Sequence, residues 1–109
     1  MNFVETHMYG ITISIPYSKN IHGWMVWNVS DTPEVVEDYF IQRRDAEPNY
    51  LLKVQHDQAR ASIKFAHHLG GVPVRLWHNN DKLYIDFTFK DLNSLISFNN
   101  EKEVIETVL

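Results

Sequence analysis

The chain has 109 residues, 44% of them hydrophobic and 13% aromatic, the size and composition of one packed globular domain spanning residues 1–109. It contains no cysteine, which excludes disulfides, zinc–thiolate centres and thiol nucleophiles. The formal net charge of −4 is unevenly spread: residues 42–90 hold eight basic against five acidic side chains, and the stretches on either side are acidic.

The opening stretch MNFVETHMYGITISIP carries Glu5 and neither Lys nor Arg, so it lacks the basic start of a signal peptide. No apolar run approaches the ~18 residues of a membrane span, so no membrane partner is expected and the anticipated location is cytoplasmic. Tyr9, Ile11, Ile13 and Ile15 alternate with Gly10, Thr12 and Ser14, a half-buried strand stopped by Pro16. The next strand-forming run, HGWMVWNV, is apolar on both faces: Met25, Trp27 and Val29 point one way, Trp24 and Val26 the other. The segment from Pro16 to Ile21 is expected to join these two strands as a hairpin.

A helix follows from about Pro33 to Arg44. Asp31 or Thr32 can cap it, Pro33 suits an early helical position, and Val36, Tyr39 and Phe40 share one face. Acids gather near its start and Arg43 and Arg44 near its end, as the helix dipole prefers. NYLLKVQ reads as a short strand or the first turns of the next helix. Asp57 is then expected to cap QARASIKFAHHL, with Ala59, Ile63 and Ala66 as its buried stripe and Gly70-Gly71 as its stop.

VPVRLW and KLYIDFTF form a hairpin with Asn79-Asn80 as the expected turn. That register puts Leu76 opposite Leu83, Val74 opposite Ile85 and Val72 opposite Phe87 on the inner side. On the outer side Arg75 faces Tyr84 and Trp77 faces Lys82. Asp91 caps a short helix, LNSLISF, and KEVIETVL is expected as a last strand, with a helix as the alternative. The order predicts an α+β fold: a single compact domain, mostly antiparallel sheet, with two or three helices packed on one face.

Three of the six histidines, His67, His68 and His78, fall in FAHHLGGVPVRLWH. Neighbouring helical residues point about 100° apart, whereas a helical metal pair needs i, i+4 spacing. The spacing therefore favours capping of the last helical turn, and no metal or cofactor is expected. No GxSxG elbow is present, and Gly70-Gly71 follows a helix instead of opening one, the wrong polarity for a phosphate cradle. KLYIDFTF partly overlays the RNA-recognition pattern, with Lys82, Tyr84 and Phe89 in place. Asp86 stands where a stacking aromatic is needed, and no family is assigned on it.

The candidate contact surface is the outer hairpin face, Arg75, Trp77, Lys82 and Tyr84, with Trp24 as a further exposed aromatic. Such a quartet supplies a Trp/Tyr/Arg hot spot for a protein partner or a stacking platform for bases. The expected function is a small non-enzymatic binding module that regulates or inhibits a protein partner, in the size class of phage-type inhibitors of host machinery. The alternative is single-stranded nucleic-acid binding by residues 42–90; a histidine-assisted hydrolase is the minor third reading. An exposed edge at the first strand or the tail would also allow a homodimer.

Overall fold

A computed structural model describes residues 9–18 and 26–108, with side chains as far as Glu101. The elements are β1 (Tyr9–Pro16), β2 (Val26–Asn28), α1 (Pro33–Ala46), α2 (Tyr50–His68), β3 (Val72–Asn79), β4 (Lys82–Phe89) and α3 (Leu92–Val108). The strands form one antiparallel sheet in the order β1-β4-β3-β2. The helices supply Val36, Phe40, Ala59, Ile63, Ala66 and Phe98 to the core that covers the sheet's inner face. The fold is α+β, as the alternation of apolar residues predicts.

β4 is the centre of the sheet. Leu83, Ile85, Phe87 and Phe89 are all fully buried on its inner face, and the intervening residues point outward. A strand this apolar on one side needs partners on both edges, and the isoleucine stripe of β1 supplies one of them: Ile11 lies opposite Phe87, Ile13 opposite Ile85 and Ile15 opposite Leu83. β1 and β2 therefore occupy opposite edges of the sheet. The hairpin expected between them is not formed.

α2 corrects the sequence reading at its start. Asn49, directly after Pro48, caps it by accepting the Leu52 amide at 3.1 Å, so NYLLKVQ is helical and Asp57 lies inside the helix. The buried stripe is longer than Ala59, Ile63 and Ala66 alone, adding Gln55, His56 and Ser62 at helical spacing. At the other end Gly70 (φ 87°) donates to the His67 carbonyl at 2.9 Å, and Gly71 donates to that of Ala66 at 2.7 Å. This is the left-handed glycine stop the sequence announces. α3 also runs further than expected: KEVIETVL continues the helix to Val108. Val104 and Val108 stand four apart, a spacing that suits a helix as well as alternation suits a strand, and nothing from Leu92 onward breaks the helix.

The β3–β4 hairpin turns at Asn80 (φ 52°) and Asp81 (φ 61°), one residue later than expected. Partners move by two positions, which keeps every side chain on its predicted face near the turn but changes what it meets. Leu76 faces Ile85, Trp77 faces Tyr84, and Arg75 faces Asp86. An irregularity between Pro73 and Arg75 then reverses the alternation. Pro73 is buried opposite Phe87, Val72 pairs with outward Thr88, and Val74 is exposed.

Gly71, between α2 and β3, lies directly against the ring of Phe89. A Cβ there would lie 2.4 Å from Cε2 of Phe89, whose ring is fully buried and lies 5.5 Å from that of Phe98. Gly71→Ala is expected to destabilise the fold by roughly 1–3 kcal/mol, because the confined ring has to leave its packed position. Urea denaturation would show a lowered midpoint with an unchanged slope.

Candidate functional site

The helices all pack on one side, so no described helix covers the outer face of the sheet. Two rows of side chains cross it. One reads Val26, Trp77, Tyr84 and Ser14, and the next reads Asn28, Arg75, Asp86 and Thr12, each residue directly opposite the next in the ladder. In the first row the Trp77 and Tyr84 rings stack, with centroids 5.2 Å apart and planes 12° from parallel. The Arg75 guanidinium lies 4.3 Å from the centroid of Trp77. Its Nε donates to Asp86 at 3.1 Å, and Asp86 accepts a second hydrogen bond from the Thr12 hydroxyl.

This arrangement is more ordered than the predicted quartet. The aromatic pair contributes roughly 0.5–1.5 kcal/mol and the cation–π contact about 0.5–1 kcal/mol. The Arg75–Asp86 pair, with the arginine side chain 49% exposed, adds little. Tyr84, Trp77 and Arg75 brace one another and present a rigid patch, with Val26 extending it toward the β2 edge at 48% exposure. Lys82 is exposed at the turn end of the face, opposite Asn79, and meets neither aromatic in the way the expected register implies. Trp24 lies outside the described residues.

The basic residues of the middle segment do not gather on this face. Asp57 binds Arg44 at 2.6 Å and Arg60 at 2.8 Å, clasping α1 to α2. Partial burial would raise its pKa, but the hydrogen bonds from Arg60 and Arg44 outweigh that and hold the carboxyl below its ordinary value. Arg43 lies over the ring of Tyr39, with its guanidinium 4.9 Å from the centroid. The sheet therefore stands between these helix-borne cations and Arg75 and Lys82.

The histidines divide in two. His67 Nε2 lies 3.8 Å from a Glu34 carboxylate oxygen, and with His68, Glu37 and Lys64 it lines an open cleft of about 520 Å³ beside α2. His78 points to the other end of the fold, where its Nε2–H donates to the Tyr17 carbonyl at 2.8 Å. His67, His68 and His78 are therefore not brought together. Among the described residues no group of three His, Asp or Glu side chains is placed to hold a metal ion.

The sequence reading missed a second polar cluster. The Tyr17 hydroxyl donates to His56 Nδ1 at 2.5 Å, and His56 Nε2 lies 3.4 Å from Glu47 Oε1. The Tyr17 ring meets His56 and His78 edge-on, with centroids 5.2 and 6.1 Å away. Gln55 joins the cluster, accepting the Ser18 amide at 2.8 Å and donating to its hydroxyl at 3.0 Å. A hydroxyl–imidazole–carboxylate line invites comparison with a nucleophilic triad. Tyr17, however, is only 2% exposed, and burial, reinforced by Tyr39 and Glu47 and partly offset by Arg43, pushes its phenol well above the ordinary value near 10. A hydroxyl held so firmly protonated is not an activated nucleophile. The line ties the end of β1 to α2 and to the α1–α2 junction.

One signal could have found it. His56 precedes Ala59, Ile63 and Ala66 at spacings of three, seven and ten, which places it on the buried stripe. A polar residue there requires a partner. A helix begun at Asp57 leaves His56 outside that stripe, whereas α2 begins at Tyr50 and includes it.

No family model matches this chain, and neither does a curated protein or a solved structure.

Proposed function

We propose that this protein is a non-enzymatic binding module that docks a protein partner on the outer face of its sheet and regulates or inhibits that partner. The observation that carries this reading is the braced Trp77–Tyr84–Arg75 patch on a face left open by every described helix. Trp, Tyr and Arg are the residues that most often dominate binding energy, and they do so best when already held in place. Asp86 balances the charge of Arg75, so the centre of the patch is close to neutral, as suits a surface that is desolvated on binding.

The same balance gives less support to single-stranded nucleic acid. A phosphate backbone needs an unbroken cationic track beside its stacking rings. On this protein Arg44 and Arg60 share Asp57, Arg75 is paired with Asp86, and both aromatic rings already stack on each other.

The deciding experiment is capture from native host lysate on immobilised wild-type protein and on Trp77→Ala, with and without nuclease. A protein retained by the wild type after nuclease treatment, and lost with Trp77→Ala, is the expected result. Capture that disappears with nuclease, or that ignores position 77, would overturn the proposal.

A further inference from the structure

We infer that the free edge of β1 is a self-association site, on which β1 of a second copy pairs antiparallel to join two sheets into one. The direction of the backbone groups follows from one hydrogen bond. Tyr17 N–H donates to the Asp81 carbonyl at 2.8 Å in register with the β1–β4 ladder. Strand backbone groups alternate sides with a period of two. Ile11, Ile13 and Ile15 therefore turn their amides and carbonyls toward β4, and Gly10, Thr12 and Ser14 turn theirs outward. No described strand lies on that side of β1.

Proteins normally guard such an edge with a charge, a bulge, a proline in mid-strand or a very short strand. β1 has none of these. It is eight residues long, YGITISIP, with no charged side chain, no irregularity in its pairing with β4, and its proline at the last position. β2 at the opposite edge is only three residues long, so the contrast lies within one sheet.

A second copy is the occupant because the edge is complementary to itself. When two β1 strands run antiparallel with Thr12 opposite Thr12, Gly10 falls opposite Ser14 in both directions. Every outward amide of Gly10, Thr12 and Ser14 then meets an outward carbonyl. Pro16, which has no N–H to give, falls outside that set. The side chains sort equally well. On the outer face Thr12 meets its copy and Gly10 leaves room for Ser14, and on the inner face Ile11 meets Ile13 and Tyr9 meets Ile15. Ile11 is only partly buried and Tyr9 is 41% exposed, so the inner pairs extend the core across the junction. No charged side chain on the strand itself opposes the copy. The edge acts through outward backbone groups and the Trp77 patch through side chains of the outer face; Ser14 and Thr12 lie beside Tyr84 and Asp86, so self-association and partner capture are measured separately.

Two measurements on the full chain test it. Sedimentation equilibrium across a concentration series is expected to show a monomer–dimer equilibrium for the wild type. Ser14→Pro and Gly10→Pro should each raise its dissociation constant by roughly tenfold or more, since each removes an interfacial donor. Their amides point away from β4, so the intramolecular ladder keeps its bonds and circular dichroism should be unchanged. Amide hydrogen exchange gives a readout independent of any variant. Protection of Gly10, Thr12 and Ser14 should rise with protein concentration, whereas Ile11, Ile13 and Ile15 should be protected throughout. A wild type that stays monomeric, a dimer that survives both prolines, or concentration-independent exchange at the outward amides would overturn the assignment.

Discussion

Trp77→Ala is expected to weaken partner binding about a hundredfold while leaving the domain folded. A hundredfold loss is about 2.8 kcal/mol, within the range of about 2 to 4 kcal/mol typical for truncating a central, braced aromatic at an interface. The intramolecular loss is smaller, roughly 1–2 kcal/mol, because only the stacking on Tyr84 and the contact with Arg75 go, and both lie outside the core. Tyr84→Ala should follow Trp77→Ala, since its ring is what holds the indole in place. Lys82→Ala is the contrast: exposed beside the turn and away from both rings, it should change affinity by less than about threefold. Calorimetric titration of each variant against the captured partner, alongside urea denaturation, separates the two effects. Equal losses for Trp77→Ala and Lys82→Ala would place the contact elsewhere.

Tyr17→Phe is expected to lower stability by about 2 kcal/mol, which for a chain of this length is roughly a 9 °C fall in Tm. The ring volume is nearly conserved, so the loss comes from the buried hydrogen bond between the Tyr17 hydroxyl and His56 Nδ1. The same substitution changes the pH profile. In the folded protein the Tyr17 phenol titrates well above its unfolded value near 10. The unfolded chain thus releases its proton first, and stability that is fully present below pH ~10 is lost as pH rises toward the folded value. Phenylalanine cannot titrate, so the variant should lose less stability than wild type between about pH 9 and 11. Parallel alkaline slopes in thermal melts would show that Tyr17 is not the group responsible.

The parts of this fold legible in the sequence are those in which one period dominates. The strict alternation of Ile11, Ile13 and Ile15, and of Leu83, Ile85, Phe87 and Phe89, admits no other element, and both strands lie where expected. The hairpin face was legible for the same reason, but its cross-strand partners were not. Asn79, Asn80 and Asp81 can all adopt positive φ, and moving the turn by one residue leaves every face unchanged. The packing of Trp77 on Tyr84 and the pairing of Arg75 with Asp86 distinguish the two registers. Three features were hidden for separate reasons. The β1–β4 pairing links distant segments, which no local pattern reports. The irregularity beside Pro73 reverses an alternation that Val72 and Val74 otherwise obey. The Tyr17–His56–Glu47 line joins residues from three places in the chain, and only the position of His56 on a helical stripe gave notice of it.

The strand order has a consequence for how the chain is made. β1 and β2 are synthesised before their partners, and among the described residues each pairs with a strand much later in the sequence. At ~5–20 residues per second, β1 waits some seconds on the ribosome before β4 exists. In that interval α1 and α2 can associate, because they are adjacent in sequence and pack against each other. The β3–β4 hairpin then forms quickly on its two-residue turn, and closure of the sheet around it is the slow, long-range event. The uncharged edge of β1 is thus open to wrong pairing in the nascent chain as well as in the finished protein.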